Sequence, residues 1–373
     1  MTLPKTYRAL VSTVTEGGEL RMELVEREFP TPKPDQVVIR VEAAPINPSD
    51  HGVMFGYSVM SDAKNEGDVL VAPVGNQGMR MMRGRIGQAL PLGNEGAGTV
   101  VAAGDSEAAQ ALMGRTVAAM GGGMYAEYRA VPLSAVLPLG EGHTARDGAS
   151  SFVNPLTALC FPETMRRDGH TALIHTAAAS NLGQMLVKIC KADGIPLVNI
   201  VRRQEQVDTL KAIGATHVLN SSDDDFLPQL IDACVDTGAT LAFDATGGGK
   251  LASTILTAME GAAARTPGAY SIYGSTHHKQ VYLYGALDTS PTVLTRGYGM
   301  AWGVGGWLLP NFLGQAGMET VMRLRKRVVD ELTTTFASGY TDEIGLDDIT
   351  KADVVAQYNA KKTGQKFLLT PHG

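Results

Sequence analysis

From about residue 150 onward, short apolar runs alternate with amphipathic stretches, and this rhythm restricts the fold more than any other feature of the chain. It predicts strands near 171–176, 196–201, 216–219, 239–244, 269–274 and 281–286, with helices near 183–193, 204–213, 226–236 and 250–264. Strands joined by helical crossovers lie parallel, and right-handed crossovers put helices on both faces. The expected class is therefore α/β, with a doubly wound parallel sheet. Residues 1 to about 149 have another texture: short strands such as "YRALVST", "LRMELVERE", "DQVVIRVEAA", "GAGTVVAAG", "RTVAAMGGG" and "AEYRAV", broken by glycine and proline. That spacing suggests a β-rich, barrel-like domain. A helix near 318–338, a helical "KADVVAQYNAK" and a strand "QKFLLT" follow, and this last piece is expected to return to the first domain. The predicted division is 1–149 with 341–373 against 150–340, and 373 residues suffice for two cores.

The turn "TAAASNLGQ", Thr176–Gln184, sits where a dinucleotide-binding protein passes from its first strand into its first helix, yet it holds one glycine where three are usual. A phosphate at a helix N-terminus is held by backbone N–H groups and the helix dipole, so glycine is needed only for positive φ or close approach. Ala177, Ala178 and Ala179 are small enough for that approach, Asn181 tolerates the left-handed region, Ser180 offers a hydroxyl, and Gly183 supplies the close helix-to-strand contact. The alternative is an ordinary connection between strand and helix. The second strand, "PLVNIV", ends in Arg202-Arg203, 19 residues after Gly183, with no acid before Glu205. An NAD-binding fold places an acid near there for the ribose 2′-hydroxyl, whereas guanidinium groups suit a 2′-phosphate. The pair points to NADP(H); its alternative is a solvated strand end.

A net charge of −6 and a pI near 5.8 argue against nucleic acid as a partner. The opening "MTLPKTYRALV" lacks a secretory layout, and the longest apolar stretch, "MAWGVGGWLLP", is too short to span a bilayer. Three scattered cysteines, Cys160, Cys190 and Cys234, suggest a reducing compartment without disulfides. The expectation is a cytoplasmic protein acting on a small-molecule substrate.

"AAPINPSD" (Ala43–Asp50), "LGNEGAG" (Leu92–Gly98), "VNPLTA" (Val153–Ala158), "ASNLGQ" and "NIVRR" follow one another in an order that resembles the medium-chain dehydrogenase/reductase superfamily. Within it the chain looks most like the zinc-free 2-enoyl thioester reductases, with quinone oxidoreductases next. The resemblance implies a GroES-like catalytic domain, a Rossmann domain, a cofactor cleft between them and a homodimer built through the Rossmann sheets. Zinc-dependent members carry Gly-His-Glu where this chain has Gly93-Asn94-Glu95, and an amide is a poor zinc ligand. No cysteine lies in the first 159 residues and the eight histidines show no ligand spacing, so no metal is expected.

Without zinc, such a reductase transfers hydride from nicotinamide C4 to an electron-poor carbon, and an enolate then needs hydrogen-bond donors and a proton. The thioester reductases use a tyrosine shortly after "NPSD". Here Tyr57 is the candidate, directly after Gly56 where the family has one residue between; a surface-packed tyrosine is the alternative. Asn47 and Ser49 are candidates for the same pocket, or cap the turn at Pro48. Thr157 resembles the family's cofactor-contacting threonine. Gly274 and Ser275 in "YGSTHHKQ" are expected to follow the fifth strand and meet the nicotinamide side, and "TGGG" (Thr246–Gly249) to pass close to the cofactor. The long stretch from Val59 to Pro91 is a departure from the family; Arg80, Arg83 and Arg85 within it suit a rim for a CoA-like phosphate, or plain surface. "GMAWGVGGWLLPNF" (Gly299–Phe312) is a candidate pocket wall or subunit contact. The leading expectation is an enzyme, an NADPH-dependent reductase of an activated C=C bond; the alternatives are an NADPH:quinone oxidoreductase and a non-catalytic NADPH-binding protein.

Overall fold

The computed structural model describes residues 3–265, 271–360 and 364–373. The chain forms two compact units, Met1–Val153 with Arg327–Gly373, and Asn154–Lys326. These limits lie a few residues beyond 149 and well before 341.

The first unit is built from two antiparallel-rich sheets. One runs Lys64–Glu66, Val69–Pro73, Glu19–Glu28, Thr6–Val14 and Leu90–Pro91. The other runs Val136–Pro138, Thr116–Met120, Glu95–Ala103, Gln36–Pro45, Phe367–Thr370 and Asp342–Gly345, with Tyr128–Pro132 also paired to Gln36–Pro45. β-Branched and aliphatic residues of these strands, among them Leu10, Leu20, Met22, Val37, Ile39, Val100 and Leu369, close into one dry core. The strand Phe367–Thr370 joins by pairing Leu368 with Pro45 and Leu369 with Ala44. The long stretch 59–91 is structured rather than loose loop: two of its strands extend the first sheet through Glu19–Glu28, and the short helices Asn76–Met81 and Arg83–Arg85 follow them.

The second unit is a six-stranded, wholly parallel sheet. Its order is His217–Asn220, Leu197–Val201, Leu173–Thr176, Leu241–Asp244, Lys279–Leu283 and Trp302–Gly306. This is the doubly wound Rossmann arrangement, with its switch point beside Leu173–Thr176. The helix Asn181–Asp193 shows why the crossovers form. Leu182, Met185, Leu186, Ile189 and Cys190 recur at helical spacing and are buried, and Gly194, at φ +67°, ends it by donating its N–H to the Cys190 carbonyl.

Three expectations are corrected. The strand expected at 269–274 falls partly outside the described residues, and 271–274 are not a strand. The strand expected sixth, at 281–286, runs Lys279–Leu283 and is the fifth, its register set by Leu241 opposite Gln280 and Asp244 opposite Leu283. The late helix stops at Asp330 rather than 338.

Between Gln36–Pro45 and Glu95–Ala103 the register shifts beside Val41, and a Cβ on Gly98 would stand 1.9 Å from the Arg40 carbonyl oxygen. Gly98→Ala therefore forces these central strands apart. It should cost about 3 kcal/mol, the upper end of overpacking penalties, measured by urea unfolding.

Candidate functional site

In the second unit, the turn after Leu173–Thr176 is shaped by its one glycine. A Cβ on Gly183 would lie 2.1 Å from the Ala178 carbonyl oxygen, so only glycine lets the helix start this close to the strand. Ser180 is the N-cap, its Oγ accepting the Gly183 N–H at 3.2 Å. The residue with positive φ is Ala177, at +49°, and not Asn181, which is the first helical residue. Ala179 and Leu182 are buried behind the turn. The 13-residue helix turns its N-terminal end, the positive end of its dipole, to this point.

Arg202 and Arg203 leave the end of Leu197–Val201 exposed to solvent. Ser222 donates its hydroxyl to the Arg202 carbonyl at 3.0 Å, and the Ser221 N–H reaches the Val201 carbonyl at 2.7 Å, so the third strand's loop braces the arginine pair. The Arg203 guanidinium pairs with the exposed Glu205 at 3.3 Å. The Asp288 carboxyl is held below its usual range, first by the Ser290 hydroxyl and N–H and then by Arg202. Thr157 is buried in the helix Val153–Arg167, a full turn in from its start.

At the carboxyl edge of the sheet, Asp244 ties the first and fourth strands together. Its carboxylate accepts Thr176 Oγ1 at 2.6 Å and the N–H groups of Thr246 at 2.9 Å and Gly247 at 3.2 Å. Tyr284 and Gly285 leave Lys279–Leu283 at this same edge, and a Cβ on Gly285 would come within 2.6 Å of the Ala245 carbonyl oxygen. The segment Thr246–Gly249 follows the fourth strand at this edge and pairs in part with Asp288–Thr292. Gly274 and Ser275 are elsewhere. They precede the fifth strand and so lie at the sheet's amino edge, opposite to where ligands of such sheets sit. Ser275 is occupied there: its hydroxyl and N–H go to Glu260 at 2.7 and 2.8 Å, and Lys279 Nζ donates to Ser275 Oγ at 2.8 Å. Their expected place at the nicotinamide is corrected. The same Tyr-Gly signal recurs at Tyr284-Gly285 and Tyr298-Gly299, and Tyr284-Gly285 is the copy that follows the fifth strand at the carboxyl edge.

In the first unit, a buried polar cluster gathers around Glu95. Its Oε1 accepts the Asn47 side-chain amide at 2.8 Å, and its Oε2 accepts the backbone N–H groups of Phe152 and Val153 at 2.8 and 2.9 Å. Burial raises the Glu95 carboxyl above its usual range, against the pull of Lys366 and these donors. Asp50 accepts the N–H groups of Asn47 and Asn94, each at 2.8 Å, yet burial pushes it up to about 7, with Glu95 adding to the rise. Asn47 is fully buried, and among the described residues its Oδ1 has no hydrogen-bond partner. Asn94 donates its amide to Ser49 Oγ at 3.3 Å, and both are solvent-facing.

Tyr57 is not part of this cluster among the described contacts. It follows the short helix His51–Met54, is 57% exposed, and donates its backbone N–H to Met82 Sδ at 3.4 Å. The added stretch causes this: Met82 fills the space beside Gly56, where a Cβ would meet its sulfur at 2.3 Å. Arg85 is corrected as a rim residue, because its guanidinium turns inward to the Val53 carbonyl and to Ser12. Arg80 and Arg83 stay exposed. Sequence reasoning missed Lys366, Ser150 and Tyr340, which adjoin Glu95 only in three dimensions.

Residues 33–141 match the alcohol dehydrogenase GroES-like domain, and residues 182–299 match the zinc-binding dehydrogenase domain. The chain is 26% identical over 287 residues to mouse prostaglandin reductase-3, covering 75% of this chain and 73% of that one. It is 27% identical over 235 residues to bovine mitochondrial enoyl-[acyl-carrier-protein] reductase, covering 59% and 54%. A candidate NADPH:quinone reductase from Mesorhizobium loti superposes over 100% of both chains, with a TM-score of 0.75 and 27% identity. The chain spans about half to three quarters of the length of the curated relatives it matches. It belongs to the medium-chain dehydrogenase/reductase superfamily, among the members that work without zinc, and it is an oxidoreductase.

The raised Asp50 carboxyl sets a pH dependence. Between about pH 4 and pH 7 the unfolded chain releases a proton that the folded chain keeps, so stability falls as pH rises through this window. Asp50→Asn should flatten that slope, with the part due to Glu95 remaining. Urea unfolding free energies at a series of pH values check it.

Proposed function

We propose that this chain reduces a carbon–carbon double bond activated by a neighbouring carbonyl, an enoyl thioester or enone, at the expense of NADPH. One observation carries the reading most directly: the arginine pair stands at the second strand's carboxyl end, beside a turn whose Gly183 contact admits no side chain. The coenzyme is NADP(H). The N–H groups that open Asn181–Asp193 suit the pyrophosphate, and Arg202 and Arg203 suit the 2′-phosphate. When bound, NADPH supplies a hydride from nicotinamide C4.

The first unit provides for the substrate. Ser49 accepts from Asn94 and keeps its own proton for a carbonyl oxygen, while the unpartnered Asn47 Oδ1 is an acceptor for an N–H group. The first unit lacks the imidazole and thiolates of zinc members at this place: Asn94 stands in the ligand position, and all three cysteines are buried in the second unit. Relatives named for enoyl-[acyl-carrier-protein] and prostaglandin reduction support the substrate class. The full-length likeness to a candidate quinone reductase favours a second reading, NADPH:quinone oxidoreduction. Among the described residues no helix is long and apolar enough to cross a membrane. Trp302–Gly306 is a sheet edge with a free side, and we take it as the place where a second copy pairs to make a homodimer.

Replacing both Arg202 and Arg203 with alanine should weaken NADPH binding at least about tenfold, as loss of charge-assisted hydrogen bonds does, and leave NADH binding unchanged. Fluorescence titration of both coenzymes measures this; an equal loss for the two removes the assignment. Oxidation of NADPH against a panel of enals, enoyl-CoAs and quinones tests the reaction. Turnover of enoyl compounds supports the leading reading, turnover of quinones alone the second, and tight NADPH binding without turnover a non-catalytic role.

A further inference from the structure

A second set of side chains in the first unit completes what Tyr57 leaves open. Lys366 Nζ lies 2.8 Å from Ser150 Oγ and 3.4 Å from Ser338 Oγ, and Ser150 Oγ lies 2.9 Å from Tyr340 Oη. An ammonium only donates, so its presence orders the chain of hydrogen bonds. Ser150 accepts from Lys366, and its own proton is available to Tyr340 Oη, a bond that can run in either direction. When Ser150 donates, the Tyr340 proton is released from the chain, and among the described residues Tyr340 Oη meets no other partner. Ser150 is fully buried and Tyr340 partly so.

The charges around these groups suit proton transfer. Lys366 Nζ lies 5.2 Å and the Arg146 guanidinium 5.3 Å from the Tyr340 ring centroid. Burial holds the Tyr340 phenol above its usual range, with Glu95 and Asp147 adding to this and Ser150 and Arg146 opposing it. It therefore keeps its proton at neutral pH until a strong base arrives. Burial pulls Lys366 down to about 8 against the opposite effect of Glu95 and Asp50, which leaves an ammonium able to give up a proton. Glu95 belongs to the Gly93-Asn94-Glu95 stretch that stands where zinc members place their ligand, so this relay adjoins the catalytic position.

We propose that Tyr340 is the proton donor of this reductase and that Ser150 and Lys366 form the relay that reloads it. The proposal rests on the reading of the chain as a reductase of activated double bonds. Hydride arrival at the β-carbon moves the π electrons onto the thioester or ketone oxygen as an enolate. As the enolate collapses, its α-carbon takes the Tyr340 proton, leaving a phenolate. Ser150 passes its proton to the phenolate and receives one from Lys366, and the Lys366 amine is reprotonated from solvent. One hydride and one proton are added, and the reduced coenzyme is the only reductant.

The test compares Tyr340→Phe, Ser150→Ala, Lys366→Met, Lys366→Arg and Tyr57→Phe with the wild type on an enone or enoyl-CoA that the wild type reduces. Tyr340→Phe should lower kcat by at least about 100-fold, the scale of a lost general acid, with the NADPH dissociation constant unchanged as proof of an intact fold. Wild-type kcat should fall as pH rises through about 8, because the Lys366 ammonium is lost there. That limb should vanish in Lys366→Met, and Lys366→Arg, which keeps the charge but cannot give up a proton, should not restore the wild-type rate. A readout without turnover accompanies these: in 13C-lysine NMR of the coenzyme-free protein, the resonance missing from Lys366→Met should titrate near 8. Full enone reduction by Tyr340→Phe, loss in Tyr57→Phe alone, or a Lys366 resonance titrating above about 10 as in a free lysine overturns the proposal. A wild type that reduces no activated double bond instead overturns the functional reading and the donor assignment with it.

Discussion

A single carboxylate, Glu95, holds the first unit's chemistry in place. It has no solvent of its own and draws hydrogen bonds from two places far apart in sequence, Asn47 and the adjacent pair Phe152-Val153, with the Lys366 charge close by. A buried carboxylate of this kind is costly unless its oxygens are filled. Filling them fixes the Asn47 amide, with its Oδ1 buried, and aligns the backbone at residues 152–153. The orientation of the polar groups follows from the need to compensate one charge.

The second unit answers a different constraint. Its turn has to bring a helix end up to a strand closely enough for a pyrophosphate, and it does so with a glycine only at the point of contact. Small alanines form the remainder, and Ala177 takes the strained positive φ that glycine-rich versions leave to glycine. The arginine pair is then braced from the neighbouring strand's loop, beside an exposed Arg203–Glu205 ion pair.

What could be read in the sequence was what depends on near neighbours. The strand–turn–helix rhythm, Gly183, the Ser180 cap and the arginines at the end of the second strand are each set within a few residues, and the parallel sheet follows from their order. Repetition misled in one place. Tyr273-Gly274 and Tyr284-Gly285 look alike, and only the pairing of Lys279–Leu283 with Leu241–Asp244 decides that the second stands at the binding edge. Tyr57 was visible by its distance from "NPSD", but its exposure depends on Met82, 25 residues later, packing against Gly56. Ser150, Tyr340 and Lys366 carry no motif at all, since two sheet strands and a long return of the chain bring them together.

That return has a consequence for how the molecule comes into being. Ala44 waits for Leu369 as its neighbour, a closure across nearly the entire polypeptide, and such distant pairings are slow to form. During synthesis the nucleotide-binding half is complete while the other half still lacks its closing strand and the cation beside Glu95. A nascent chain halted before that strand carries an unmatched negative charge inside an unfinished sheet, a ready mark for chaperones or proteases. Assembly of the working centre is thereby postponed to the last stretch translated in this sequence.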